Sequence, residues 1–343
     1  MRGRLMVYDC ITFFNELDLL EIRLNTLSSV VDKFIIAEAT RTHSGKPKDL
    51  VFDRCRDRFA DFADRITYVV VEDLLSEEEI AKDPYNLPWV NENRQRNALM
   101  RGLEGASSDD VVMVSDLDEI PRPETVGHVC DLLQRREARA VRFEMEFFNY
   151  YLNFKNFSYA KWMLGTVATR FSEFSSPAGL MAKVKTDRYT QASENIGNTF
   201  NKLRFVKADV SLPDSGWHFS YLGGIESIRR KLSAFAHTEF NDVPVRILEQ
   251  RLKSGEDLFG RAGCSFGVSV DETFPRHVQE NLSTLSELIF PVDEDYLNRT
   301  EPLKRRAIWR GRVYAAMVKM TPRFLAPMAV RVRDAVMKIF RRD

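Results

Sequence analysis

A chain of 343 residues with 44% hydrophobic and 11% aromatic side chains carries enough apolar surface for one large domain or two smaller ones, which excludes a disordered or fibrous protein. Fifty Lys and Arg balance fifty Asp and Glu, yet residues 301–343 hold 12 basic and 3 acidic side chains, leaving 38 basic against 47 acidic in the first 300. An acidic body with a basic end is a poor match for nucleic acid, and no such partner is expected.

Residues 5–12, LMVYDCIT, read as a first strand. Leu17, Leu20, Leu24 and Leu27 then follow helical spacing after the polar turn at Asn15 and Glu16. VDKFIIA at 31–37, ITYVVVE at 66–72 and VVMVS at 111–115 read as further strands, with a helix over 88–103 before the last of them. Residues 122–136 read as a helix after a DLDEIP turn, and AVRFEMEF at 140–147 as the next strand. This alternation predicts an α/β protein with a mostly parallel sheet flanked by helices. The aromatics Phe147, Phe148, Tyr150, Tyr151, Phe154, Phe157, Tyr159 and Trp162 suggest strands or a hairpin covering that sheet, as core packing ahead of a ligand platform. Trp309, Val313, Met317 and Met320 recur at helical spacing among basic residues, and a second apolar-basic segment runs from Phe324 to Phe340. The chain therefore divides into a body over 1–300 and a basic amphipathic helical tail over 301–343, which could lie on an anionic membrane surface or pack against the acidic body.

No leader-like segment and no run near 18 apolar residues is present, so the sequence predicts a cytoplasmic protein, peripheral at the inner membrane face if the tail binds lipid. Cys10, Cys55, Cys130 and Cys264 lie far apart with no metal-binding spacing, which predicts reduced, inert thiols.

The chemistry concentrates after the strand at 111–115. Ligands of open α/β sheets bind beyond the carboxyl ends of the strands, where Asp116 and Asp118 stand. Strand alternation would point both carboxylates at one hard cation, which could in turn hold a diphosphate. The competing reading is an acidic turn that caps the next helix. His218, in GWHFSYLGGIESIRRK at 216–231, would suit Mn²⁺ or a similar borderline metal as a third ligand, unless it is a hydrogen-bonded core histidine. Glu38 ends the second strand, where a carboxylate can accept from a ribose or base. Lys48 follows in the loop THSGKPK, and Arg94, Arg96 and Asn97 lie in NENRQRN; such cations can reach phosphates, although a solvated surface reads the same way.

FNELDLLEIRLNTLSSVVDKFIIAEATRTHSGKPKDLVF, DDVVMVSDLDEIP and the WHFS segment occur in the order found in glycosyltransferase family 17, which the chain resembles over about residues 7–290. The resemblance implies a GT-A fold and a metal-dependent, inverting transferase that uses a nucleotide sugar, usually UDP-GlcNAc, and a saccharide acceptor. It implies Asp116, Asp118 and His218 as ligands of Mn²⁺ or Mg²⁺. Asn15, Glu38, Lys48, Arg94, Arg96, Asn97 and Lys231 become donor-binding candidates. Glu226 becomes the first candidate for the base that takes the acceptor proton, with Asp214 and Glu146 as alternatives. Two other readings stand beside this one. An apolar run ending in DxD also begins haloacid-dehalogenase-type phosphatases, where the first aspartate is the nucleophile, and a sugar-binding protein could keep the fold without the chemistry.

Overall fold

The structure, a computed structural model, describes residues 5–158, 162–163, 165–175, 208–236, 243–258 and 263–320. The strands among them are β1 (Val7–Phe13), β2 (Lys33–Ala39), β3 (Ile66–Val71), β4 (Val111–Asp116), β5 (Glu119–Pro121), β6 (Ala140–Phe143), β7 (Glu146–Asn149), β8 (Phe154–Asn156), β9 (Val167–Arg170), β10 (Val210–Leu212), β11 (Gly216–Ser220) and β12 (Ser265–Gly267). The longer helices are α1 (Leu17–Leu27), α2 (Leu87–Ala98), α3 (Pro123–Gln134), α4 (Gly224–Ala234), α5 (Val245–Ser254) and α6 (Glu294–Met320).

The four apolar runs near the N-terminus make the parallel half of a seven-stranded sheet ordered β10-β6-β9-β4-β1-β2-β3. Only β9, antiparallel to both β4 and β6, departs from the parallel pattern. These strands are apolar on both sides because both sides are covered. Val7, Ile11 and Phe13 of β1 pack with α1 and α3, whereas Tyr8 and Cys10 face Leu99 and Leu103, in the tight turn that follows α2. Each fully buried Leu or Ile of these faces contributes about 2 kcal/mol relative to an exposed one. All four cysteines are unpaired, and burial pushes the thiols of Cys130 and Cys264 up to about 11, so neither is a thiolate at neutral pH.

Three expectations change. AVRFEMEF is not one strand: β6 belongs to the large sheet and β7 to a second, five-stranded sheet, β12-β8-β7-β11-β5. The chain crosses between them at Glu144 and Met145, whose amides donate to Leu212 and Trp162 carbonyls. EIP, read as part of a turn, is strand β5 and pairs with β11 so that Glu119 lies opposite His218. Asp118 sits in a turn after β4 has ended, so strand alternation does not set its direction.

The aromatic segment forms β7 and β8, buried in the core as expected, while Tyr159 lies outside the described residues. At the C-terminal end, α6 runs continuously through residue 300. Lys304 and Ala307 on it are buried, Lys304 Nζ sits 5.6 Å over the Phe157 ring, and Trp309 is 55% exposed. The segment Phe324 to Phe340, and the side chains of Met317 and Met320, lie outside the described residues.

Candidate active site

The parallel strands β1, β2 and β4 all end at one edge of the large sheet, and the polar residues that follow them meet there. β1 delivers Asn15 and Glu16, β2 the loop 40–48, and β4 the Asp116–Asp118 turn. The pairing of β5 with β11 brings His218 beside that turn, and the Phe219 amide donates to the Asp118 carbonyl at 2.8 Å.

The turn itself is held from below. Arg23 on α1 is fully buried and donates twice to the equally buried Asp9 of β1, both at 2.7 Å. Its remaining N–H groups donate to the carbonyls of Asp116 (3.1 Å), Leu117 (3.1 Å) and Glu119 (2.8 Å) and to Ser115 Oγ (2.6 Å). Glu119, 1% exposed, accepts from the Asp116 amide at 3.1 Å and from Trp162 Nε1 at 2.7 Å.

Above the turn the two carboxylates take different partners. Asp116, 33% exposed, accepts from Arg96 at 2.8 Å, and Arg96 also pairs with Glu92 at 3.0 Å. Asp118, 8% exposed, accepts from Lys231 Nζ at 3.0 Å and faces His218 Nε2 at 3.6 Å. Lys231 also reaches Glu16 at 3.2 Å. Burial by itself would raise the Asp118 carboxyl, but the Lys231 ammonium, and then His218, hold it well below the usual carboxylate range. Burial likewise opposes the charge on Lys231, and Asp118 and Glu16 overcome it and keep the ammonium charged far into alkali. Six carboxylates (Asp9, Glu16, Glu92, Asp116, Asp118 and Glu119) thus surround three cations (Arg23, Arg96 and Lys231), a formal excess of three negative charges.

Two histidines flank the turn. His218 is packed between Phe147 (5.0 Å between ring centres) and Trp162 (4.4 Å), with a buried Nδ1 that has no hydrogen-bond partner among the described residues. His43, in the loop after β2, has a tautomer that follows from its neighbours. Gln95 Nε2 donates to the carbonyls of Phe13 (3.2 Å) and Ala37 (2.9 Å), so Gln95 Oε1 must be the acceptor for His43 Nε2–H at 2.8 Å. Burial holds the pKa of His43 below its ordinary value, leaving a neutral ring whose Nδ1 is a buried lone pair.

The structure therefore brings together Asp116, Asp118, His218, Lys231 and Arg96, with Asn15 in the turn that carries Glu16. Other candidates are elsewhere. Glu38 is fully buried and accepts from Lys48 Nζ (2.7 Å), the Val51 and Phe52 amides (2.7 and 3.0 Å) and Tyr68 OH (2.9 Å), so its oxygens and Lys48 are committed to each other and to the fold. Arg94 donates to the Asp73 carbonyl at 2.5 Å, and Asn97 follows on α2. Glu226 is 80% exposed and pairs with Arg229 at 3.4 Å. Five helical positions separate it from Lys231, a rotation of about 140° away from the side facing Asp118. Glu146 pairs with Arg122 at 3.3 Å and with Lys155; its neighbour Phe147 packs on His218, so the pleat sends Glu146 to the opposite face of the small sheet. Asp214 occupies a left-handed turn (φ 50°) at the surface, where its carbonyl accepts from Arg122 at 3.0 Å.

Asp9, Glu16, Arg23, His43 and Glu92 escaped the reading of the motifs. For Asp9 and Arg23 a signal was present: a lone aspartate interrupts the apolar run VYDCITF, and a lone arginine interrupts the buried stripe Leu20, Leu24, Leu27 of the next helix.

The profile of glycosyltransferase family 17 matches residues 2–175. Over 121 residues the chain is 27% identical to the β-1,4-mannosyl-glycoprotein 4-β-N-acetylglucosaminyltransferases of Rattus norvegicus and Homo sapiens. Those matches take in 34% of this chain but 21% and 22% of the relatives, so the chain spans about a fifth of the length of the curated relatives it matches. Among solved structures, S. aureus TarS 1–349 in complex with UDP covers 90% of this chain and 88% of its own at 11% identity and a TM-score of 0.38. Glucosyl-3-phosphoglycerate synthase from Mycobacterium tuberculosis, in complex with Mn²⁺, UDP-glucose and glycerol 3-phosphate, covers 63% of this chain and 72% of its own at 17% identity and a TM-score of 0.31. With its D-x-D turn, its loop after β2 and half its length inside the matched region, this chain belongs to glycosyltransferase family 17.

Proposed function

We propose that the chain is a metal-dependent, inverting glycosyltransferase that moves a sugar, GlcNAc in this reading, from a UDP-sugar to a glycan or lipid-linked saccharide. The observation that carries it is the Asp118–His218 pair, 3.6 Å apart at the carboxyl end of the parallel strands, in a cluster with three more carboxylates than cations. The choice of GlcNAc follows the relatives, named N-acetylglucosaminyltransferases, and UDP is the carrier that membership of the family implies.

A divalent cation fits the donors present. Two ligands on one Mn²⁺ or Mg²⁺, each about 2.1 Å from it, lie roughly 3–3.5 Å apart when adjacent, close to the spacing of Asp118 Oδ1 and His218 Nε2. Among the described residues no group of three His, Cys, Asp or Glu side chains could hold a metal ion by itself, so Asp118 and His218, with Asp116 nearby in the same turn, would hold the ion only with diphosphate and water completing its shell. When bound, such an ion acts as a Lewis acid for the departing nucleoside diphosphate. The chain's own cations act on the same charge. Lys231 stays protonated because Asp118 and Glu16 demand it, and it and Arg96 present N–H groups from opposite sides of the turn to oxygens that become more negative as the glycosidic bond breaks. Phe147 and Trp162 fix the plane of His218 and exclude water from its faces.

No helix among the described residues is long and apolar enough to cross a membrane. The basic tail remains a candidate contact for an anionic lipid surface near a lipid-linked acceptor, tested by flotation with anionic liposomes with and without residues 301–343. The central test is calorimetric titration of UDP in Mn²⁺ and then in EDTA, alongside the double variant Asp116→Ala, Asp118→Ala. Manganese-dependent binding lost in the variant is expected; UDP binding that persists in both EDTA and the variant would overturn the metal-assisted reading, and no binding at all would overturn the donor.

A further inference from the structure

We infer that Arg23, braced by Asp9, is the positioning residue that sets the geometry of the Asp116–Asp118 turn for donor binding, an inference that rests on the glycosyltransferase reading for its functional half. Three carbonyls in and beside the turn, those of Asp116, Leu117 and Glu119, converge on one guanidinium nitrogen at 2.8–3.1 Å. Carbonyl dipoles aimed at one point repel one another unless a donor or cation stands there, and bulk water does not reach that point, since Arg23 is 0% exposed. With those carbonyls drawn inward, the side chains of Asp116 and Asp118 are left to project outward, to Arg96 and Lys231.

Only arginine does this here. Its five N–H groups serve six acceptors: Asp9 twice, Ser115, and the three carbonyls, which share the two hydrogens of Nη1; a lysine offers three donors from one atom and cannot reach both sides. Asp9 fixes the guanidinium plane by bidentate contact and neutralises it within the sheet. Asp9 lies on β1 and Ser115 on the adjacent β4, so the clamp ties the turn to two neighbouring strands inside the sheet.

The test separates holding the turn from holding the fold. Removing one charge leaves the other buried and unpaired, whereas replacing both with apolar groups is commonly tolerated. The double variant Asp9→Leu, Arg23→Met is therefore compared with the intact protein by thermal unfolding, by amide hydrogen exchange at residues 115–120, and by calorimetric UDP binding in Mn²⁺. The expected result is cooperative unfolding within a few degrees of the parent, exchange at 115–120 at least tenfold faster with the rest of the sheet unchanged, and UDP affinity at least tenfold weaker. Unchanged exchange and affinity in a folded variant would overturn the inference. If the double variant does not fold, Arg23→Lys and Ser115→Ala are read by the same two measurements against the same outcomes. If the parent itself binds no UDP, the donor assignment fails, and the exchange at 115–120 alone upholds or overturns the clamp.

Discussion

Replacing Lys231 with methionine should destabilise the metal-free protein and make it lean on manganese. Lys231 Nζ lies 3.0 Å from Asp118 and 3.2 Å from Glu16, and the side chains of Lys231 and Asp118 are only 14% and 8% exposed. Breaking a buried pair typically costs 3–5 kcal/mol because the surviving charge is uncompensated, and the partial exposure of Glu16 favours the lower end, about 3 kcal/mol. With an unfolding entropy near 2.1 cal/mol/K per residue, that corresponds to a melting point lower by roughly 4 °C in EDTA. Millimolar Mn²⁺ should raise the variant's melting point more than the parent's, since the cation takes over the neutralisation of Asp118. The pH dependence has a definite sign. Asp118 has a depressed folded pKa, so its contribution exists above the unfolded carboxylate value near 3.9 and is lost as pH falls through the folded one. Lys231 has a raised folded pKa, so its contribution is complete below about 10.4 and is lost only as pH climbs through the higher folded value. The gap between parent and variant should therefore be flat from about pH 5 to 9 and close in acid. Differential scanning fluorimetry across pH, in EDTA and in Mn²⁺, measures all of this. An unchanged melting point in EDTA, or a gap that persists into strong acid, would refute the pairing argument, and Asp118→Asn added to Lys231→Met should recover part of the loss.

The remaining expectations concern residues whose contacts in the structure point to other roles. Glu38→Gln should lower denaturant stability by about 3 kcal/mol, by leaving Lys48 unpaired beside a neutral amide, while the folded variant keeps its UDP affinity within about twofold; a selective loss of affinity would return Glu38 to the donor site. Glu226→Gln, on an outward helical face, should keep transfer within about twofold of the parent, and abolished turnover with intact UDP binding would reinstate it as the base. Gly45→Ala should cost at least about 1 kcal/mol, because φ is +89° and the new Cβ would stand 2.5 Å from the Glu77 amide nitrogen; a stability equal to the parent's would show that the loop before Lys46 can yield.

What the sequence determined by itself is what local chemistry determines. Apolar runs such as VVMVS and FIIA are strands wherever they are buried on both faces, and the Leu17, Leu20, Leu24, Leu27 stripe is a helix in any setting that offers it a sheet to cover. Because βα alternation forces crossovers and a parallel order, the ends of those strands, and with them Asp116 and Asp118, were legible as a candidate site. Partners across long sequence separations were not. That His218 faces Asp118 depends on a three-residue strand, EIP, too short to show any period, pairing with a segment about a hundred residues away. That Glu38 is spent on Lys48, and Glu226 turned outward, depends on which side of an element the rest of the chain happens to cover. The Arg23 clamp shows both halves at once. Its two charges are visible as interruptions in apolar stripes, but only packing α1 onto the β1 face places the guanidinium under the D-x-D turn, where burial makes it a necessary partner for carbonyls that water cannot reach.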